Sequence, residues 1–319
     1  MGASFITLPH LVRAAEGGGS SENRLVRVLL ASGDNIPAAR QVDPSYFSWD
    51  GRTYRGGHAV VPLPSGKPGL VNVVSLESYL YGVVSREVSP AWPAAAQQAQ
   101  AILSRTYATL KLHPEKQYDV VATSSDQRYG GVSGESAAGR AAVDETAGTI
   151  VTHGGSTAQV AFSSCCGGRT ADPADVWHSS IPYLRSIVDP HCAGTPEYRW
   201  DARVGYDTLR SLDLERAGTL HSVELLKMTP SGRPRELAFS GSVSTVNVAA
   251  ESFRSAAGLS IVRSTYLRSV VPGGGALTIA GNGSGHGVGM CQWGAREMAA
   301  AGASAEAIIA FYFPTTTLQ

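Results

Sequence analysis

The sequence has little charge, little cysteine and no long apolar run. Its 319 residues carry 26 Lys and Arg against 26 Asp and Glu, a formal net charge of zero. Nucleic-acid binders show a basic excess, so composition argues against that class and no nucleic-acid partner is expected. No run reaches the length of a membrane-spanning helix. Four cysteines, Cys165, Cys166, Cys192 and Cys291, are too few for a disulfide-dense scaffold. They leave a single bridge, a metal site or inert thiols. Charged residues make up 16% of the chain and apolar residues 43%, an ordinary apolar content that excludes global disorder. The length suits one large domain or two, and no internal repeat of fixed period occurs.

What is present reads as an α+β chain, because strands and helices do not alternate as βαβ units. Residues 1–24 are expected to be a disordered tail or the remnant of an export signal. They hold an apolar stretch and a Gly-Gly-Gly-Ser-Ser tract but no preceding basic region. Short strands are predicted at Leu25–Leu30, Phe47–Tyr54 and Ala59–Pro64. Two strong helices follow, from Ser75 to Val88 and from Pro93 to Leu112. Further short strands surround an Ala-rich helix near Ala137–Ala147. A β-rich subdomain is placed at 201–275, with a helical patch near Ala249–Ala257. From 276 to 319 a Gly-rich loop precedes two helices. The main region is placed at 25–200, a helical segment packed on short mixed sheets, to which the C-terminal loop and helices of 276–319 are expected to add.

The first helix carries the chemistry. Ser75 is a candidate N-cap. Leu76, Tyr79, Leu80, Val83 and Val84 form the apolar stripe of a helix packed on a core. The stripe continues, about three turns from its start, at Glu87. A carboxyl group brought toward apolar surroundings has its pKa raised, which suits a general acid at neutral pH. A frayed helix end or a structural ion pair is the bland alternative. In the second helix Ala95, Ala99, Ile102, Leu103, Tyr107 and Leu110 form the core stripe. Gln97, Gln98, Gln100, Ser104 and Arg105 lie off it, which leaves Arg105 facing either Glu87, a substrate or solvent.

These residues carry a resemblance. The segment Tyr79 to Pro93 around Glu87 and Pro90, and the segment Ala99 to Ala108, resemble the SpoIID/LytB family. Three later stretches agree in order: Ser125 to Gly130, Phe162 to Thr170, and Gly285 to Ala295. The family acts on bacterial peptidoglycan, in sporulation and in other wall remodelling. The resemblance implies either a lytic transglycosylase of the SpoIID type or a LytB-type enhancer of an N-acetylmuramoyl-L-alanine amidase. Glu87 stands where the family's catalytic glutamate belongs, within Glu-x-x-Pro. Arg105, Tyr107, Asp126, Gln127, Tyr129, His286 and Gln292 are the implied groove residues. Trp92 and Trp293 are candidate sugar platforms or simple core aromatics. Peptidoglycan glycan strands, and an amidase, are the implied partners, and the protein is expected to be exported to the periplasm, cell wall or cell surface.

Cys166 and Cys192 sit in family-like boxes, and a disulfide between Cys192 and Cys166, or its neighbour Cys165, is expected of an exported protein. No cofactor and no metal are expected. Some family members hold zinc through Cys and His just before the Gln-x-Tyr-x-Gly box, but Val120 to Ser125 contains neither. A zinc cluster of Cys165, Cys166, His191 and Cys192 is the alternative, with irregular spacing. Cys291 is expected to be a free thiol.

Overall fold

In the computed structural model of the protein, residues 24–319 are described. The expectation for the N-terminal tail lies almost entirely outside these residues. The chain divides into two compact units. The first runs to Val160 and is completed by Ser304–Glu306 and Thr316–Gln319; the second comprises Ala161–Ala303 and Ala307–Thr315. This boundary falls inside the 25–200 region.

The fold is α+β, as the sequence indicated. In the first unit a four-stranded sheet has the order Gly57–Pro62, Pro68–Ser75, Leu25–Ser32, Val120–Val121. Its first three strands pair antiparallel, and Leu25–Ser32 pairs in parallel with the short Val120–Val121 strand. The predicted strand Phe47–Tyr54 is instead a hairpin, Tyr46–Trp49 paired with Arg52–Arg55. Asp50 and Gly51 both take positive φ at its tip, the conformation that a two-residue hairpin loop requires.

The central strand Pro68–Ser75 feeds directly into helix α1 (Leu76–Glu87). Ser75 caps it by accepting the Ser78 N–H at 3.3 Å. The predicted stripe is buried: Tyr79, Leu80, Val83 and Val84 are fully enclosed and pack with Val26, Val28, Phe47 and Tyr54. Helix α2 (Ala94–Lys111) departs from expectation, because it is buried on nearly every side. Gln97, Gln100, Ser104 and Arg105 are as enclosed as Ile102 and Leu103. Donor groups of these polar side chains find partners, although Gln97 Oε1 is buried without one among the described residues. Gln97 Nε2 donates to the Pro90 and Trp92 carbonyls and Gln100 Nε2 to Ser104 Oγ. Helix α3 (Ala137–Glu145), capped by Ser136, packs on both α1 and α2.

The second unit is richer in strands. One antiparallel sheet is ordered Arg199–Gly205, Ala276–Asn282, Leu267–Gly273; another is ordered Leu220–Leu226, Glu236–Gly241, Thr245–Ala249. Their core gathers Trp200, Leu237, Phe239, Leu277 and Ile279, with Phe253 from helix α5 (Ala250–Ala257). The short helix α4 (Pro173–Val176) precedes these sheets, and α6 (Gln292–Ala300) and α7 (Ala305–Tyr312) end the chain's helical content. Within the region placed as β-rich, Tyr206–Leu212 forms a 3-10 helix.

Candidate functional site

Glu87 is the last residue of α1 and is half-buried. Val88 closes the helix with its N–H on the Val84 carbonyl, and its extended backbone turns the chain toward Ser89 and Pro90. One Glu87 oxygen, Oε1, accepts the backbone N–H of Arg128 at 2.7 Å. The carboxylate is therefore positioned at the end of a rigid helix by a main-chain donor.

The segment Asp126–Gly130 supplies that donor, and its side chains explain how. Tyr129 is buried with its ring against Tyr79 and Tyr54, and its hydroxyl donates to Asn72 Oδ1 at 2.8 Å. Gly130 N–H donates to the Gly82 carbonyl of α1 at 3.0 Å. Gly82 has to be small here: a Cβ would lie 2.6 Å from the Tyr129 ring and 3.0 Å from the Gly131 carbonyl. The Gly in the middle of α1, costly to a helix, is thus the slot into which Tyr129 fits.

Gln127 is fully buried; its Oε1 accepts the Tyr79 hydroxyl at 3.0 Å and its Nε2 reaches the Ser104 carbonyl at 3.4 Å. Asp126 uses both oxygens within the unit. Oδ1 accepts the Tyr107 hydroxyl at 2.5 Å, Oδ2 accepts the Val121 N–H at 2.9 Å, and Lys111 Nζ lies 3.4 Å away. Burial, then the Asp126 contact, pushes the Tyr107 hydroxyl well above the ordinary tyrosine range. Tyr79 and Tyr129 are raised chiefly by burial as well. All three therefore stay protonated donors at neutral pH.

The structure thus redistributes the groove residues named from the sequence. Arg105 does not face a groove. It is 1% exposed, and its five N–H donors point to both Glu77 oxygens, the Val143 and Thr149 carbonyls and Thr146 Oγ1. Its planar fork ties α1, α2 and α3 together through Glu77. Gln127 and Tyr129 are core residues that position the Arg128 amide. Asp126 and Tyr107 are half-buried and hydrogen-bonded to each other, which ties the 126–130 segment to α2.

His286 and Gln292 belong to the second unit. His286 Nδ1 accepts the Val288 N–H at 3.0 Å, and its ring lies 5.0 Å from Trp177. Burial lowers its pKa to about 4, so it is neutral at pH 7. Gln292 is buried at the start of α6. The cysteines lie together in this unit, all four buried and all four free thiols. The expected partners Cys166 and Cys192 have sulfurs 3.6 Å apart, beyond bonding distance. Hydrogen bonds from Cys165 and Cys166 hold the Cys192 thiol low, while burial pushes Cys291 up. The zinc set read from the sequence is also rearranged. His191 packs its ring against Phe311, while Asp189 and Cys291 join Cys166 and Cys192.

Sequence reasoning missed the Arg128 amide because a main-chain donor leaves no trace in residue identity. It also missed Asp189, although that residue begins the Asp-Pro-His-Cys box.

Comparison with known proteins bears on both units. The family described as SpoIID, Stage II sporulation protein, matches residues 65–153. An uncharacterised protein of Brachyspira hyodysenteriae (strain ATCC 49526 / WA1) is 31% identical over 272 residues, covering 84% of this chain and 72% of that protein. The amidase enhancer of Bacillus subtilis (strain 168) is 29% identical over 287 residues, covering 75% of this chain; the chain spans only 40% of that relative. Stage II sporulation protein D of the same organism is 24% identical over 285 residues, covering 84% of this chain and 81% of that protein.

Proposed function

Because this chain belongs to the SpoIID/LytB family, we propose that it is an exported lytic transglycosylase. Its substrate is the bond between N-acetylmuramic acid and N-acetylglucosamine in glycan strands stripped of their stem peptides. The observation that carries this reading is the single positioned carboxylate at the end of α1: Glu87 held by the Arg128 amide.

A hydrolase of glycosidic bonds ordinarily needs two carboxyl groups, an acid and a base or nucleophile. Asp126, the acidic residue of the 126–130 segment, has both oxygens engaged by Tyr107 and Val121. One carboxyl group suffices when the attacking hydroxyl belongs to the substrate. Protonated Glu87 gives its proton to the glycosidic oxygen, and the bond from that oxygen to C1 of the muramic acid breaks. The Glu87 carboxylate then takes the proton from the C6 hydroxyl of the same sugar. The C6 oxygen bonds to C1 and closes a 1,6-anhydro ring, so Glu87 ends protonated, as it began. Intramolecular attack of this kind has a large effective molarity, which replaces the second protein group. A carboxyl group on the last turn of a packed helix suits the double role, since it must hold one position through both proton transfers.

The test is mass spectrometry of products from amidase-treated peptidoglycan, incubated with the protein and with Glu87→Gln. Anhydro-muramyl ends from the wild type alone are expected. Reducing muramyl ends would instead mean water attack, and Asp126 would be the first base to probe. No products from either protein would favour a second reading, prompted by the relative named amidase enhancer. The chain would then bind glycan and modify an amidase, and an added amidase would work faster in its presence.

A further inference from the structure

We propose that Cys166, Cys192, Cys291 and Asp189 form a closed structural site for a thiophilic divalent cation, zinc first among them. The site is separate from the Glu87 chemistry and lies within the second unit. All four side chains are 0% exposed. Their three sulfurs and one Asp189 oxygen all lie within 4.8 Å of one another. Cys166 Sγ is 3.6 Å from Cys192 Sγ and 3.2 Å from Asp189 Oδ2. Zinc bonded at about 2.3 Å to sulfur and about 2.1 Å to oxygen has tetrahedral edges of about 3.8 Å and about 3.6 Å. The cluster is therefore close to the size of that coordination shell.

Fixed hydrogen-bond donors already orient two of the four groups. Cys291 Sγ accepts two main-chain donors, Cys166 N–H at 3.2 Å and Gly294 N–H at 3.3 Å, at the N-terminus of α6. Asp189 Oδ2 accepts the Tyr312 hydroxyl at 2.9 Å and Oδ1 accepts the His191 N–H at 2.9 Å. Such donors orient metal ligands from outside. Asp189 also forms no ion pair with Lys, Arg or His among the described residues, and a buried carboxylate without a cation is costly. A Cys166–Cys192 disulfide would use two thiols and leave that buried carboxylate without a cation. A divalent ion answers all four groups, with the thiol protons released to solvent on binding.

The ligands come from three stretches of chain with little regular structure. They meet through the parallel pairing of Phe162–Ser163 with Met290–Cys291 and the hydrogen bond from Asp189 N–H to the Gly168 carbonyl. The ion would staple these stretches. Cys165, although buried, lies outside the mutually close set.

The experiment is a Co(II) titration of the reduced full-length protein under anaerobic conditions, read by visible absorption and metal analysis. Expected are one Co(II) per chain, thiolate-to-cobalt charge-transfer bands, intense tetrahedral d–d bands and displacement by Zn(II). Cys165→Ser, at a thiol that touches Cys192 and Cys291 without joining the set, should still bind one Co(II) per chain with charge-transfer bands. Cys291→Ser should lose part of the charge-transfer intensity, and Asp189→Asn should weaken binding on the order of 10–100-fold while keeping those bands. If a variant fails to fold, the wild-type titration alone decides. Absence of Co(II) binding by the reduced wild type overturns the proposal. So do unchanged bands in a folded Cys291→Ser protein, or a Cys166–Cys192 disulfide in protein recovered from its native compartment.

Discussion

The Glu87 corner of the first unit and the thiol cluster of the second are built by opposite rules. Glu87 sits half-buried at a helix end, held by a main-chain donor whose own position depends on buried tyrosines. The thiol cluster is fully enclosed, and its ligand atoms face one another rather than solvent. A half-exposed, oriented carboxylate can exchange protons with a substrate. A closed tetrad can only hold something. On the proposed reading one corner acts and the other fixes the frame, and substitutions on each side can break or sharpen that contrast.

The largest expected effect is at Glu87. Glu87→Gln keeps an oxygen to accept the Arg128 N–H, so thermal stability should change little. Glycan cleavage should fall on the order of 10²–10⁴-fold, the range for loss of a general acid or base. Anhydro-product yield measured beside the melting temperature checks both halves. An unchanged yield would remove Glu87 from the chemistry. Arg105→Ala should do the reverse. Removing one member of a buried pair costs about 3–5 kcal/mol, because it strands the partner charge and, here, two carbonyls. Urea unfolding should show that loss, with activity per folded molecule largely kept. A stable variant with weakened glycan binding would return Arg105 to the groove.

Arg105 also marks how far the sequence could be read. The cap at Ser75, the stripe from Leu76 to Val84 and the end of α1 at Glu87 were legible, since one face of that helix meets the core and the other does not. In α2 the same reading placed the polar residues toward solvent or a groove. They are buried because their partners arrive from far along the chain, Glu77 from 28 residues away and Thr149 from 44. Periodicity reports which positions are apolar and is blind to a distant partner for a polar one. The thiol cluster shows a related blindness. Cys166 and Cys192 stood in recognisable boxes, but Cys291 lies 125 residues beyond Cys166, and only the fold brings it there.

A smaller effect is expected at His286. Its pKa falls from an ordinary 6.5 to about 4 through burial. Between those values the unfolded chain binds a proton that the folded chain does not, so stability falls as pH drops from 6.5 toward 4 and levels off below. At about 1.4 kcal/mol per pKa unit, the loss is at most about 3.5 kcal/mol. His286→Gln should flatten this part of the stability–pH curve in urea titrations. A wild-type curve already flat across the window would show that His286 titrates normally and is more open than its packing against Trp177 indicates.

The smallest effect tests the frame around Glu87. Tyr129→Phe removes the hydroxyl that donates to Asn72 Oδ1, while Asn72 stays fixed by its own bonds to the Arg55 and Gly57 carbonyls at 2.9 Å each. A buried acceptor left without its donor costs about 1–3 kcal/mol. The low end is expected here, since the ring still fills the slot at Gly82. Glycan affinity should not change, because the hydroxyl points into the core. A variant of wild-type stability that binds glycan tenfold more weakly would mean that the hydroxyl reaches substrate. The 126–130 segment would then act on the sugar directly as well as through the amide that holds Glu87.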